Sequence, residues 1–484
     1  MGNEFMMDLY ELTMANGYFR EPDALNTRVM FDVFYRKNPD DGGYAIFAGL
    51  QQVLDYLRTL HFTQEDIDYL AGLHMFDADF LEYLRTFVFT GNVIAMPEGT
   101  IVYPNEPLLT IEGNLVEAQL VETAILAQIN HQSLIATKAS RIVRAAAGRP
   151  VSDFGARRAH NNDAAIYGAR ACYIGGVKGT ATVAAGQAFD IPVSGTMAHS
   201  WVMFYKNELE AFKKFAKIYP DNCILLVDTY DVLKQGVPNA IKVFKEMRDQ
   251  GIHSKNYGIR IDSGDLAYLS RMARQLLDEA GFQEAKIIVS NSLDEYTIRS
   301  LIEQGAAIDG FGVGERMITA KSEPVFGAVY KLAGVQNEDG TWEPRIKVSA
   351  SVEKITNPGV KYVVRAFDRT SGHAVADIIA GDEWFDYDTK YPIEVIDPNQ
   401  PWKKVVLENC YFINMRQLMM ENGDVVTPTY TVKELAEYVR DQLTEEVWEE
   451  EQRFENPHVH YIDMTPEYYN MKLRLLDEVQ NGNG

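Results

Sequence analysis

VSDFG (151–155), IPVSG (191–195), CILLVDT (223–229), YGIRIDSG (257–264), KIIVSNS (286–292) and IDGFGVG (308–314) are short apolar runs, and most end in a polar or glycine cluster. Helical stretches separate them. That alternation is the signature of repeated strand–helix units on a parallel sheet, and it predicts a β/α barrel, complete or partial. In such folds ligands bind at the carboxyl ends of the strands, where loops and helix N-termini converge. The polar ends of these runs are therefore the candidate site.

Upstream, a long helical pattern from Val121 to Ala147 stops at Gly148-Arg149-Pro150. The first residues read as α+β: an amphipathic helix over Met6–Phe19 with Gly17 as its stop, then strands at RVMFDVFY (28–35), Asn92–Met96 and EGTIVYPNEPLLTIEG (98–113). Beyond Phe326 the segments VFGAVYKLAG (325–334), RIKVSAS (345–351), KYVVRAFD (361–368) and HAVADIIAG (373–381) read as strands, and the end of the chain as acidic helix. The run EEVWEEEQRFE (445–455) is expected to be a solvated helix face. The expected division is 1–137, 138–325 and 326–484, consistent with a chain of 484 residues at roughly 150 residues per domain.

With 46 Lys+Arg against 69 Asp+Glu the net charge is −23, which opposes binding to nucleic acid or an acidic membrane surface. An anionic small molecule then needs a local basic site. Between Lys138 and Lys178 there are eight basic residues (Lys138, Arg141, Arg144, Arg149, Arg157, Arg158, Arg170, Lys178) against Asp153 and Asp163. Arg157 and Arg158 follow directly from the first barrel run and are placed for phosphate. Three cysteines without metal-ligand or redox spacing, an acidic N-terminus unlike a signal peptide and no apolar run of membrane-spanning length predict a cytoplasmic protein.

Later runs end in Asp228-Thr229, Asp262-Ser263-Gly264-Asp265, Ser290-Asn291-Ser292 and Gly312-Val313-Gly314-Glu315. Glycines and hydroxyls allow close phosphate approach, and carboxylates can hold ribose hydroxyls or a divalent metal. A single strand-end aspartate, Asp228 or Asp265, can equally cap the following helix. GVGERM is not a GxGxxG fingerprint and no GxxxxGK[ST] loop occurs, which excludes Rossmann and P-loop sites. Of nine histidines, His199 in PVSGTMAHSW lies beside a Gly-Thr turn and is the candidate nucleophile or base. His74, His131, His253, His458 and His460 read as packed or capping residues.

In order along the chain, DLYELTMANGYF, FDVFYRKNP, GGYAIFAGL, SDFGARRAH, KGTATVAAG, GTMAHSW, LLVDTYDV, RIDSGDL, IIVSNSLDE, GFGVGERM and GAVYKL resemble the nicotinate phosphoribosyltransferase family. The resemblance runs from about residue 5 to beyond 360. It implies an α/β fold, an incomplete β/α barrel plus an α+β domain formed from both ends of the chain, and a homodimer with shared active sites. It implies that nicotinate and 5-phosphoribosyl-1-pyrophosphate are joined to nicotinate mononucleotide in NAD salvage, with Mg²⁺ as cofactor and ATP as co-substrate. On that resemblance His199 is the phosphorylated histidine. Thr196 and Arg260 contact nicotinate, and Phe154 and the partner-contributed Tyr10 stack on its ring. Arg157 serves charged groups of the bound nucleotide. Asp262 with Ser290 and Asn291 holds the ribose, and Gly312 and Gly314 approach the 5-phosphate. Glu315 stands where some members carry a threonine for the phosphoribosyl donor. Relatives that use nicotinamide carry an aspartate after KGT; Ala181 here favours the acid. A metal-dependent barrel lyase using Asp228, Asp262 and Glu315 leaves His199 and the paired arginines without a role.

Overall fold

The structure is a computed structural model and describes residues 5–481 apart from 253, 350–353, 383–385 and 388. His253 and the last residues of RIKVSAS lie outside the described residues. By its internal contacts the chain forms two units: Met1–Leu134 with Val325–Gly484, and Ile135–Pro324.

The first unit joins both ends of the chain in one sheet. Its seven strands run in the order Trp342–Pro344, Val329–Gln336, Arg28–Phe34, Leu109–Asn114, Asn92–Ala95, Gln417–Glu421 and Asp424–Val425. Arg28–Phe34 pairs antiparallel on one side with Leu109–Asn114 and on the other with Val329–Gln336, Val33 opposite Tyr330. Phe31 and Tyr330 stack across that junction with centroids 4.7 Å apart, an apolar contact that joins residues about 300 apart in sequence. A second, six-stranded sheet contains Lys404–Leu407, Ile393–Ile396, Ile462–Met464, Ala374–Ala380, Tyr362–Asp368 and Cys410–Asn414. Its core packs Val364, Ala366, Ile378 and Phe412.

The second unit carries one parallel sheet in the order Gly179–Thr180, Val151–Asp153, Gly310–Val313, Lys286–Ser290, Tyr257–Ile261 and Cys223–Leu226. Among the described residues the two end strands do not pair with each other, and the barrel is incomplete. One face of the sheet is apolar and buried, as Ile259, Ile261, Ile287, Val289, Phe311 and Val313 show, because helices cover it; the alternate positions Arg260, Ser290 and Gly312 lie on the other face. Those helices, Val237–Asp249, Leu266–Glu279 and Glu295–Glu303, alternate with the strands. Asp265 and Asp294 cap the latter two by accepting from the Tyr268 and Thr297 amides.

Four local expectations are corrected. IPVSG is not a strand: Val193 makes a single bridge to Thr180, and the ladder position belongs to Gly179–Thr180, a pair too short to show a period. The first helix is Leu9–Arg20 and passes through Gly17, where nothing crowds the absent side chain. Residues 345–349 form no strand. The acidic run leaves the helix Val432–Glu445 and turns, burying Glu451 against the Tyr103 hydroxyl and His460. Among the described residues no helix is long and apolar enough to cross a membrane, and all three cysteines are free and buried.

Candidate active site

At the carboxyl end of the parallel sheet lies a cavity of about 550 Å³, within the range of small-molecule sites. Ten of the twelve expected site residues border it: Phe154, Arg157, Thr196, Arg260, Asp262, Ser290, Asn291, Gly312, Gly314 and Glu315. Ala181, Arg158 and Ser292 border it as well. His199 stands behind Asp262. Tyr10 belongs to the other unit, on the exposed side of Leu9–Arg20, where its hydroxyl binds Glu122; burial, then the Glu122 charge, pushes its pKa up.

The first strand positions one wall. The Asp153 carboxylate accepts from the Gly155 amide at 2.8 Å and from the Thr180 hydroxyl at 2.7 Å, locking the turn to the neighbouring strand. Burial pushes the Asp153 pKa up, and those two donors oppose the shift. Phe154 then lies across the next strand. A Cβ on Gly312 would stand 2.4 Å from the Phe154 ring, so glycine is required there by close approach rather than by turn geometry.

Arg260, on Tyr257–Ile261, ties the opposite wall together. Its Nη1 donates to the Thr196 hydroxyl at 2.8 Å and its Nη2 to the Met197 carbonyl at 3.1 Å, while the guanidinium lies 5.9 Å from the centre of the Phe154 ring. Its buried Nε has no acceptor among the described residues. Burial lowers the Arg260 pKa, and Asp262 and Asp228 resist that shift. A planar cation with a spare donor, set against an aromatic face, is suited to a planar carboxylate.

Asp262 accepts from the Ser290 hydroxyl, and its amide donates to Asp228 at 3.0 Å. Asp228 is therefore not a helix cap; it also accepts from the Ser263 hydroxyl at 2.6 Å and shapes the Asp262 turn. The free side of Asp262 faces His199, with Nε2 to Oδ2 at 3.8 Å, and the His199 Nδ1 meets the Thr229 hydroxyl at 3.1 Å. This Thr229 partnership escapes sequence reasoning, since the two residues lie on different strand–helix connections. Asn291 and Ser292 adopt φ of 96° and 50°, a left-handed backbone costly for side chains other than glycine and concentrated at functional turns.

The basic stretch is only partly at the site. Arg157 and Arg158 border the cavity, but Lys138 and Arg141 are buried on Glu295 at 2.8 and 3.0 Å, and Arg170 is buried. Arg149 donates to the Ile308 carbonyl. Glu315 bonds Lys321 at 2.6 Å, with Arg158 at 3.9 Å; the Lys321 hydrogen bond and charge hold its carboxyl below the usual range. No group of three His, Cys, Asp or Glu able to hold a metal occurs among the described residues.

The chain matches the nicotinate phosphoribosyltransferase N-terminal domain over residues 5–130, the nicotinate phosphoribosyltransferase family over 150–343 and its C-terminal domain over 360–472. It is 43% identical to the nicotinate phosphoribosyltransferase of Bacillus subtilis (strain 168), over 98% of this chain and 95% of that protein. It is 32% identical to that of Caenorhabditis elegans, over 96% and 92%. The crystal structure of human nicotinic acid phosphoribosyltransferase superposes with a TM-score of 0.84 at 25% identity, covering 97% of this chain and 99% of that one. The cavity at the strand ends, the incomplete barrel and the sheet shared by both chain ends thus belong to a member of the nicotinate phosphoribosyltransferase family.

Proposed function

We propose that the protein transfers a phosphoribosyl group from 5-phosphoribosyl-1-pyrophosphate to nicotinate, coupled to ATP hydrolysis through a phosphohistidine, in NAD salvage. The observation that carries this reading is Arg260, whose buried and unpartnered Nε lies beside the Phe154 ring in a cavity that also holds Asp262 and Arg157. The pyridine carboxylate would rest on Arg260 and Thr196 with its ring against Phe154. Ala181 borders the cavity without an acceptor for an amide N–H, which favours the acid over nicotinamide.

The ring nitrogen attacks the anomeric carbon. A C–N bond forms, the bond from that carbon to the pyrophosphate oxygen breaks, and pyrophosphate leaves with the electron pair. Positive charge developing on the ribose is stabilised by Asp262, which Ser290 and the Asp228-bound amide hold in place. Arg157 and Arg158 offer cationic donors to the phosphate oxygens, and Gly312 and Gly314 allow the 5-phosphate close to the backbone. The unpartnered buried Asp228 Oδ1 and the Asp262 carboxylate fit Mg²⁺ as one or two protein ligands beside phosphate oxygens, rather than as an all-protein cage. When bound, that ion would neutralise charge on the pyrophosphate.

His199 is the acceptor for the ATP γ-phosphoryl group: a P–N bond forms on the imidazole, the P–O bond to ADP breaks, and water later releases phosphate. The Thr229 hydroxyl on Nδ1 and Asp262 near Nε2 orient the ring. The added charge of about −2 beside the cavity reorganises its loops and tightens donor binding. In a homodimer, Tyr10 of a second subunit would close the pyridine ring from the side opposite Phe154.

With Mg²⁺, 5-phosphoribosyl-1-pyrophosphate and ATP, the pure protein is expected to convert nicotinate far faster than nicotinamide. Equal turnover of the two, or none of nicotinate, overturns the reading. His199→Asn is expected to abolish labelling from γ-³²P ATP; label at the wild-type level removes His199 as acceptor.

A further inference from the structure

A second cavity, of about 300 Å³, lies within the unit built from the two chain ends. Its floor is one face of the seven-stranded sheet. Register places Met30 opposite Glu112, Asp32 opposite Thr110, and Thr110 opposite Ile94, and all five residues border the cavity. Trp342, Tyr362 and Val360 add apolar wall, and Lys361 and Arg416 stand over the floor.

The charges here do not balance as they do in an ordinary buried ion pair. Lys361 pairs with Asp32, both side chains almost fully buried. Arg416, 7% exposed, is the second buried cation, but each of its hydrogen-bond acceptors is neutral: the Lys361 carbonyl at 2.7 Å, the Ile94 carbonyl at 3.3 Å and the Thr110 hydroxyl. Its Nε has no acceptor among the described residues. Burial lowers the pKa of both Lys361 and Arg416, with Asp32 as the main opposing charge in each case. Lys472, which donates to the neutral Asn357 side chain, is pushed down to about 8 by burial and by Lys361. On the acidic side, Glu112 is already taken by Arg28 at 2.9 Å, and Asp382 is an exposed rim residue. With Lys361 paired to Asp32 and Glu112 to Arg28, Arg416 is the buried cation at this cavity that has no carboxylate among its hydrogen-bond acceptors. A cation left uncompensated in a low-dielectric interior is costly, and a bound anion offsets that cost.

We propose that this cavity is a binding site for an aromatic monocarboxylate, its carboxylate on the Arg416 guanidinium and its ring against Trp342. One buried guanidinium without a carboxylate partner matches one carboxylate, whereas the Glu112 and Asp382 carboxylates repel a phosphate dianion or a polyphosphate more strongly than a monoanion. A flat ring suits a wall made by an indole and a phenol, and it fits 300 Å³ with room to spare. The site is independent of the barrel cavity and of the reaction assigned to it.

The test uses the full-length protein and 4-iodobenzoate. Crystals soaked with the probe are expected to show anomalous iodine density between Trp342 and Arg416, and calorimetry is expected to lose this binding event at least tenfold in Arg416→Met. Because Arg416→Met removes buried hydrogen bonds, Trp342→Ala provides the second variant, with an expected loss of three- to tenfold and an unchanged circular dichroism spectrum. Titration with inorganic phosphate is the discriminating arm, expected to give no heat that depends on Arg416. No iodine in this cavity at millimolar probe, equal affinity in a folded Trp342→Ala and wild type, or phosphate binding in preference to iodobenzoate each overturns the proposal.

Discussion

The molecule uses the same set of side chains twice, to opposite ends. In the barrel, Arg260 lies over Phe154 and His199 beside Asp262; in the other unit, Arg365 lies 5.3 Å from the centre of the Tyr103 ring and His460 beside Asp377. Arg365 meets Asp377 with two parallel hydrogen bonds of 2.8 and 2.7 Å and donates again to the Ile101 carbonyl. His460 is held between Glu451 at 3.0 Å and Asp377 at 3.4 Å and stacks on Tyr103 at 3.7 Å. That cluster is buried, and its two cations, Arg365 and His460, meet the two carboxylates Asp377 and Glu451. The barrel set is half-open, with Arg260 Nε and Asp228 Oδ1 lacking partners among the described residues and with left-handed backbone at Asn291 and Ser292. Residue type therefore does not distinguish the two sets; what differs is exposure, since Arg365, Asp377 and His460 are fully buried whereas His199 and Asp262 are 40% and 30% exposed.

The comparison is most strongly tested at Arg365. Arg365→Met strips the buried Asp377 of its two-bond partner, leaving it only His460 at 3.4 Å, and is expected to lower unfolding stability by about 3–5 kcal/mol, read from denaturant midpoints, with turnover retained wherever the protein is folded. The converse is Asp262→Asn, expected to cut kcat by about 10²–10³ while moving the denaturation midpoint by no more than a surface change, within about 0.5 kcal/mol. If Asp262→Asn destabilises as much as Arg365→Met, the division between the two clusters fails.

The smallest effect concerns pH. Burial works against the His460 imidazolium, but the hydrogen bonds and charges of Asp377 and Glu451 outweigh it and hold the pKa above the ordinary 6.5. Around it, Glu106 is pushed well up by burial and then by Asp377, while Arg365 holds Asp377 well down against burial. A raised imidazole pKa contributes stability that is complete below pH 6.5 and is lost as pH rises through the folded-state value. His460→Gln should therefore cost about 1–3 kcal/mol at pH 6 and progressively less at higher pH, measured as the wild-type minus variant difference. A difference that grows with pH contradicts a protonated His460.

The strand ends of the barrel are legible in the sequence because a parallel strand under helices keeps its covered positions apolar and stops where its loop becomes polar, as at RIDSG and IIVSNS. The grouping of Arg260, Asp262, Ser290 and Gly312 in one cavity follows from that regularity. What fails is inference from local charge. Lys138 and Arg141 read as part of a basic site, yet their partner Glu295 is 157 and 154 residues away, beyond the reach of composition. Glu451 reads as solvated because its neighbours are acidic, while its partner Tyr103 is 348 residues distant. The Gly179–Thr180 strand is too short to carry a period, and Thr229 finds His199 only through tertiary structure.

The pairing of Arg28–Phe34 with Val329–Gln336 bears on synthesis as well as on architecture. A ribosome makes the first strand early and its neighbour roughly 300 residues later, about 15–60 s at 5–20 residues per second. Throughout that interval one side of Arg28–Phe34, a strand whose Val29–Phe34 stretch is buried in the finished protein, has no partner. The barrel residues 135–324 emerge complete in the meantime. The nascent chain thus carries an unpaired, largely apolar edge while residues 135–324 are already made, and that edge is where a folding chaperone or an aggregation partner would find this protein.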